Sequence, residues 1–423
     1  MPLDYANPTT FIDLAVARVR ARGPAERIGA LMVSPGGPGG SGVAAALAAV
    51  GVGAFPRITR ERFDFVGFDP RGVGKSPLVS CGDRLDLSSK PESRKTFTDA
   101  CATSGGSLLG HLDTVTTAND MERVRQALGE DRISFLGYSY ASQLGLAYAQ
   151  RYSDHVRAMI LDSPIDPATS PVQRTTDALR AYERTLDEFL KVCTAVGRKC
   201  AFNDGSDLQL RFLGALTYLG ATPIKARDGT NIIDKPAFVA LVRALVGDEE
   251  AWADLGSLLA LITSKSGTSY ATYLQRAKEL DPPIGSTNEL AVFLGTICED
   301  AFLPADRTEI DQLRIDALTT SPRFATEFDL VVGGGACATW PAPASAPSSG
   351  TPPTGVRMLV VAATLDVRTP IEWARQISTR TGAPLVTWEG ARHAVFGRDP
   401  CVNDAVNAFL LDPTIALPPT TDC

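Results

Sequence analysis

The sequence predicts an α/β fold, a mostly parallel sheet with helices on both faces, interrupted by a mainly helical insert. Three observations predict it. Short apolar strands alternate with helical stretches up to about residue 166. From about Pro167 to Trp340 the strand pattern stops, and amphipathic helical stretches such as Thr175 to Val192 and Ala237 to Val246 take over. A Pro/Ala/Ser-rich connector, Pro341 to Gly355, then leads back to a strand pattern at Arg357 to Ala363. The expected division is a core of residues 1–166 and 342–423, with residues 167–341 inserted as a lid over its site.

Along the chain, Phe11 to Ala21 alternates apolar and polar residues and reads as a strand, and Ile28 to Val33 as a second. The second runs into the glycine-rich Ser34 to Gly42, and the apolar, Ala/Gly-rich Gly42 to Val52 reads as a buried helix. Phe63 to Phe68 is a strand ending at Asp69-Pro70-Arg71-Gly72. Asp120 to Leu128 reads as a helix capped by Thr116, Thr117 or Asn119. Ile133 to Leu136 is a strand that meets Gly137-Tyr138-Ser139-Tyr140-Ala141, with a helix following to about Arg151 and a strand at Val156 to Leu161. Leu385 to Trp388 is a short strand and Val402 to Leu411 a last helix.

Composition excludes several function classes. The 423 residues are 44% hydrophobic and 21% charged with a net charge of −7, and no basic cluster is present, so nucleic acid is not an expected partner. No apolar run approaches the roughly 18 residues of a membrane span. The first five residues lack the basic start and apolar stretch of a signal peptide. The eight cysteines contain no close CxxC pair of the kind zinc needs. They fit disulfides in an oxidising compartment, and pairing in chain order gives Cys81–Cys101, Cys193–Cys200, Cys298–Cys337 and Cys401–Cys423. The expectation is an exported protein whose signal peptide is not among these residues.

Ser139 has the context of a nucleophile elbow: a strand before it, a helix after it, and small residues, Gly137 and Ala141, two positions to either side. A sharp turn there exposes the hydroxyl above the sheet. The hydroxyl needs a base. Of the three histidines, His111 and His155 fall in connections expected at the surface, whereas His393 follows the strand ending at Trp388. The acid falls between serine and histidine in chain order, and Asp366 directly follows the strand Arg357 to Ala363; Glu389 is the rival but sits too close to His393 along the chain. Backbone N–H groups of Gly37, in Gly36-Gly37-Pro38-Gly39, and of Tyr140 are the expected oxyanion donors. No metal or other cofactor is required by this chemistry.

Two other motifs compete. Gly37 to Gly42 formally matches the GxGxxG of dinucleotide-binding turns, with Asp69 ending the next strand, but another strand precedes it and Asp69 sits in a Pro-Arg-Gly turn. Gly72-Val73-Gly74-Lys75-Ser76 has the end of a P-loop, yet the glycine that motif wants stands as Asp69.

With these pieces placed, the chain resembles the tripeptidyl aminopeptidase-like branch of the proline-iminopeptidase-related α/β-hydrolases. The resemblance rests on Pro2 to Pro8, Gly36 to Gly42, Phe68 to Ser76, Gly137 to Tyr140, Cys298-Glu299-Asp300 and Cys337 to Pro341, and spans nearly the whole chain. The elbow departs from the family in carrying Ala141 where glycine is usual. The resemblance implies an α/β-hydrolase fold, export, and removal of short peptides, often tripeptides, from a free N-terminus. Such a site needs a carboxylate for the substrate ammonium, and Asp300 or Glu299, beside Cys298, is the candidate. A carboxylesterase or lactonase using the same triad is the alternative, and a non-catalytic binding protein on this fold a third.

Overall fold

The structure, a computed structural model, describes residues 1–51, 55–82, 91–225, 231–264, 279, 287–301, 305–325, 333–344, 353 and 355–423. Most of the expected connector 341–355 therefore lies outside the described residues.

The core is an eight-stranded sheet. In chain order its strands are β1 (Val16–Val19), β2 (Gly29–Ser34), β3 (Phe63–Phe68), β4 (Ile133–Tyr138) and β5 (Val156–Asp162). After the insert, which carries the small antiparallel hairpin β6 (Ile224–Lys225) and β7 (Asn231–Ile233), come β8 (Met358–Ala363), β9 (Leu385–Trp388) and β10 (Thr420–Asp422). The spatial order is β1-β3-β2-β4-β5-β8-β9-β10. All neighbours run parallel except β1, which lies antiparallel on β3. The central strands are near-continuous apolar runs because helices cover both faces of the sheet.

One face is covered by α4 (Thr114–Leu128), α5 (Tyr140–Arg151) and α12 (Ile371–Thr381), through Met121, Leu144, Tyr148 and Ile377. The other is covered by α1 (Gly42–Gly51) and α13 (Pro400–Leu411), through Val402, Val406 and Phe409. The remaining core helices are α2 (Arg57–Arg62) and α3 (Pro91–Ser104).

Between β5 and β8 stand the long α6 (Pro171–Ala195), then α7 (Leu208–Ala221), α8 (Lys235–Val246), α9 (Trp252–Thr263), α10 (Thr287–Glu299) and α11 (Arg307–Thr320). α6 begins where the Ser170 hydroxyl accepts the Gln173 N–H, with Pro171 in the first turn. Phe189, Phe212, Phe238 and Leu255 give this block its own apolar centre, which Val367 of the sheet body joins. α10 instead packs its Leu290, Leu294 and Ile297 on Leu108 and Leu112 of the core.

Several local expectations change. The strand expected over Phe11 to Ala21 narrows to β1. β1 is an edge strand with half-exposed residues, so its alternation is set by one neighbour only. α4 starts at Thr114, capped by Asp113 through the Thr116 N–H at 2.9 Å, and not by Thr116, Thr117 or Asn119. Those three residues lie inside the helix. α1 is not a buried helix: Ala46 is covered, but Leu47 is 56% exposed. His111 and His155 are partly exposed, and the His155 ring stacks on Tyr152. The structure joins the cysteines in chain order, Cys81–Cys101, Cys193–Cys200, Cys298–Cys337 and Cys401–Cys423.

Candidate active site

The chain runs from β2 outward to β3 and then returns to the other side of β2 as β4. That reversal opens a crevice beyond the carboxyl ends of β2 and β4, where open α/β sheets bind ligands. The loop Pro35 to Ser41 leaves β2 on one side of it, and Ser139 leaves β4 on the other.

Ser139 sits at φ 55°, ψ −127°, outside the ordinary regions for a residue with a side chain. The turn is held from three directions. Its N–H donates to the Asp162 carbonyl at 2.9 Å, and its carbonyl accepts both the Ser142 N–H at 2.9 Å and the Ser142 hydroxyl at 2.6 Å. The close pass of strand and helix explains the small flanking residues: a Cβ on Gly137 would stand 2.7 Å from the Ala141 carbonyl oxygen. Ala141 is itself fully buried, so its methyl fits where the family more often has glycine.

The glycine loop presses against this elbow. A Cβ on Gly36, which has φ 85°, would lie 2.3 Å from the Tyr138 carbonyl oxygen and 3.2 Å from the Tyr140 nitrogen. Tyr140 opens α5, so its N–H has no partner inside the helix. Gly37, at φ 113°, follows in the same turn, which the Gly40 N–H closes onto the Gly36 carbonyl at 3.0 Å.

Asp366 and His393 meet beyond the ends of β8 and β9. The His393 Nδ1 lies 2.9 Å from Asp366 Oδ2. Asp366 is fully buried, and its Oδ1 accepts the N–H groups of Arg368 at 2.8 Å and Thr369 at 3.0 Å. Burial pushes its pKa up, but the His393 charge and these hydrogen bonds outweigh it and hold the carboxyl below its ordinary value. With Nδ1 turned to the carboxylate, Nε2 is the nitrogen left for other work.

Three residues here went unassigned in the sequence. Thr369 donates its hydroxyl to Asp366 Oδ2 at 2.8 Å and stands 3.3 Å from His393 Nδ1. Asp162, at the end of β5, accepts the N–H groups of Val395 and Phe396. Ser163, also at positive φ, accepts the Ala394 N–H at 2.9 Å. Their only signal was position: Asp162 and Ser163 stand at and just past the end of β5, and Thr369 six residues past the end of β8, on the same edge of the sheet as the elbow.

Glu299 and Asp300 close α10 over the core. Glu299 accepts the Gly110 N–H and the Trp340 indole on Oε1 and the Leu112 N–H on Oε2, so it ties the core segment Gly110 to Leu112 to both α10 and the end of the insert. Asp300 accepts the Thr114 N–H at 2.8 Å on one oxygen and the Thr114 hydroxyl and Gln143 amide on the other. The Thr114 hydroxyl in turn lies 2.6 Å from the Tyr140 phenol. Asp300 is thus two side chains from the residue after Ser139. Burial pushes both carboxyls up to about 7.

The competing nucleotide motifs have a structural explanation. Asp69 takes the Val43 N–H at the start of α1 at 3.2 Å and the Lys75 N–H at 3.0 Å. The protein's own carboxylate fills the place a phosphate would need. A metal-like grouping among the described residues is Asp399, Cys401 and Cys423, but its two sulfurs share a disulfide and offer no thiolate. No helix among the described residues is long and apolar enough to cross a membrane.

Comparison with known proteins agrees with this architecture. Residues 29–199 match the alpha/beta hydrolase fold family and residues 327–423 the TAP-like protein family. The chain is 33% identical over 448 residues to carboxylesterase B of Mycobacterium tuberculosis, covering 100% of this chain and 84% of that one. It is 29% identical over 453 residues to a tripeptidyl aminopeptidase of Streptomyces coelicolor, covering 97% and 80%. It is 29% identical over 456 residues to the serine protease Hip1 of M. tuberculosis, covering 98% and 84%. The chain belongs to the α/β-hydrolase family, in its TAP-like branch, and is a hydrolase.

Proposed function

We propose that this hydrolase is an exported aminopeptidase that releases short peptides from free N-termini through an acyl-enzyme on Ser139. His393 takes the hydroxyl proton as the Ser139 oxygen attacks the carbonyl, and Asp366 stabilises the imidazolium that forms. The N–H groups of Gly37 and Tyr140 receive the oxyanion. The imidazolium then gives its proton to the leaving amine, and water activated by His393 frees the acyl group. The observation that carries the reading is the hydrogen bond of His393 to buried Asp366, set on the same sheet edge as an elbow serine at φ 55°. Four disulfides support export, since such bonds persist in oxidising compartments.

The choice of a free N-terminus over an ester rests on Asp300. Both carboxylates accept hydrogen bonds on both oxygens, but Glu299 faces the Gly110 to Leu112 segment, whereas Asp300 lies against the first turn of α5 through the Gln143 amide. An ammonium group docking there meets a carboxylate close to the acyl site, and its charge returns Asp300 to the ionised form.

The test is hydrolysis of four chromogenic substrates by wild type and Ser139→Ala: a tripeptide anilide, its N-acetylated form, a single-residue anilide and a short-chain nitrophenyl ester. The proposal expects the free tripeptide anilide to turn over best, the acetylated form poorly, and Ser139→Ala not at all. Turnover of the ester alone would leave the triad standing and remove the aminopeptidase reading. In Asp300→Asn, KM should rise for the free-amine substrate and not for the acetylated one.

A further inference from the structure

One helix of the insert, α10, is packed as tightly as a core helix. A Cβ on Gly295 at its middle would stand 2.3 Å from Leu112 Cδ1, so the helix and the core segment meet as closely as glycine allows. Val292 is buried on the same contact, its Cγ2 filling the space where a Cβ on Gly72 would come within 2.4 Å. The Cys298–Cys337 disulfide and the Glu299 hydrogen bonds then fix the last turn.

The first turn of α10 reaches the glycine loop through the segment Asp69 to Val79. The Asn288 amide donates to the Gly72 carbonyl at 2.8 Å and accepts the Val79 N–H at 2.8 Å. A side-chain amide can do both at once because it carries a donor and an acceptor side by side. Within that segment, Asp69 Oδ1 accepts the Ser41 hydroxyl at 2.5 Å and the Val43 N–H at 3.2 Å, and Oδ2 accepts the Lys75 N–H at 3.0 Å. Ser41 closes the glycine loop. The helix also lies over the loop itself: a Cβ on Gly39 would reach 3.7 Å from the Glu289 carbonyl oxygen and 3.8 Å from Val292 Cγ1.

The far end of α10 meets the elbow helix. Asp300, the next residue, accepts the Gln143 amide at 3.0 Å, and Gln143 stands in the first turn of α5, which Tyr140 opens. One helix therefore bridges the two segments that carry the proposed oxyanion donors, Gly37 in the loop and Tyr140 at the elbow. Its 13 residues span about 20 Å at 1.5 Å each. A packed helix holds such a span more precisely than a loop does.

We propose that α10 is the strut that sets the oxyanion hole, with Asn288 and Val292 as positioning residues for the glycine loop. Asn288 acts through Gly72, Asp69 and Ser41, and Val292 by filling the space over Gly72 and beside Gly39. This rests on the reading that the Gly37 and Tyr140 N–H groups receive the oxyanion. Peptides and esters both pass through that oxyanion, so the effect is shared by either substrate class.

The experiment compares wild type, Asn288→Ala, Val292→Ala, Val292→Thr and Gly36→Ala by thermal melts and by kinetics on the free tripeptide anilide and the nitrophenyl ester. Two inhibitors are built on whichever acyl group the wild type cleaves. In a trifluoromethyl ketone, the Ser139 oxygen bonds the carbonyl carbon, the carbonyl electron pair moves to the oxygen, and His393 takes the hydroxyl proton, leaving an oxyanion in the hole. The matching free acid is a product that forms no such adduct. In Asn288→Ala and Val292→Ala we expect kcat about tenfold lower with KM within twofold, because a small loop displacement misaims a donor. The ketone Ki should rise by the same factor, as for a transition-state mimic, and the acid Ki should not move. Val292→Thr keeps the branched shape and should restore most of the activity. Asn288 is partly exposed, so its variant reads out even where Val292→Ala fails to fold. A kcat within twofold of wild type in folded Asn288→Ala, with Gly36→Ala impaired, overturns the strut and leaves the oxyanion reading standing. Equal weakening of ketone and acid means a general loosening of the site and also overturns it. Near-normal Gly36→Ala removes the loop from oxyanion binding and takes this proposal with it, and so does a wild type that cleaves neither substrate.

Discussion

Asp162 Oδ2 accepts the Phe396 N–H at 2.7 Å, tying the end of β5 to the loop that carries His393. The same carboxylate takes the Val395 N–H at 3.0 Å, and the Asp162 carbonyl takes the Ser139 N–H at 2.9 Å. One residue therefore holds the elbow with its backbone and the histidine loop with its side chain. Burial raises its carboxyl to about 6, against the pull of those N–H groups and of His393. In Asp162→Asn one of the two oxygen positions becomes an NH₂ facing donors. The loop should relax and kcat fall about 30-fold, equivalent to about 2 kcal/mol, with KM little changed. Steady-state kinetics together with a thermal melt check this. A kcat within twofold of wild type in the folded variant would remove Asp162 as a positioning residue.

Thr369 acts on the same pair from the other side. Its hydroxyl donates to Asp366 Oδ2 and sits within 3.3 Å of His393 Nδ1, so it fixes which carboxylate oxygen the imidazole meets. Thr369→Val keeps the shape and removes the hydroxyl. We expect kcat to drop about tenfold with KM unchanged, and Thr369→Ser to restore most of it. If serine rescues no better than valine, the methyl and not the hydroxyl is what matters there.

Gly36 meets the elbow at a distance no side chain tolerates. At its φ of 85°, an added Cβ would stand 2.3 Å from the Tyr138 carbonyl oxygen, so Gly36→Ala must push the loop away from Tyr140. The two N–H groups proposed to receive the oxyanion then separate. The expected outcome is a loss of about 100-fold or more in kcat/KM with the fold retained, since one misplaced donor costs about that much. Circular dichroism and kinetics on the same sample separate the two effects, and near-normal activity would show that the loop does not serve the oxyanion.

The sheet and the three triad candidates were legible in the sequence because each depends on a local pattern. Apolar runs buried on both faces read as strands whatever lies beside them, and Ser139, Asp366 and His393 each follow such a run. β10 was not legible. Thr420 to Asp422 is short and polar, and becomes a strand only because it lies parallel on β9. The cap of α4 was missed because Thr116, Thr117 and Asn119 are all good cap residues; Asp113 wins by accepting the Thr116 N–H. Thr369, Asp162 and the Asn288 bridge depend on contacts between distant segments, which no local window contains. The pairing of Asp300 with Thr114 and Gln143 spans 186 and 157 residues of chain and is invisible for the same reason.

That pairing also sets how stability responds to pH. Asp300 and Glu299 are both raised to about 7 by burial, whereas unfolded carboxyls titrate near 4. Between those values the folded chain keeps protons that the unfolded chain has given up. Stability from these groups is therefore full below about pH 4 and is lost as pH rises toward about 7. Asp366 has the opposite sign: held below its ordinary value, it stabilises above that range and loses this only at lower pH, outside the window in question. The melting temperature should accordingly be higher at about pH 5.5 than at about pH 8. Asp300→Asn should flatten the dependence without a large penalty. Its carbonyl can keep the Thr114 N–H, the Thr114 hydroxyl can turn to accept, and the Gln143 amide can rotate to present Oε1, a buried oxygen with no hydrogen-bond partner among the described residues. Melts at several pH values on both proteins measure it. A wild-type Tm that climbs from pH 5.5 to 8, or the same slope in the Asn variant, would mean that Asp300 is ionised throughout the folded state, and an ammonium docking there would meet a full charge at every working pH.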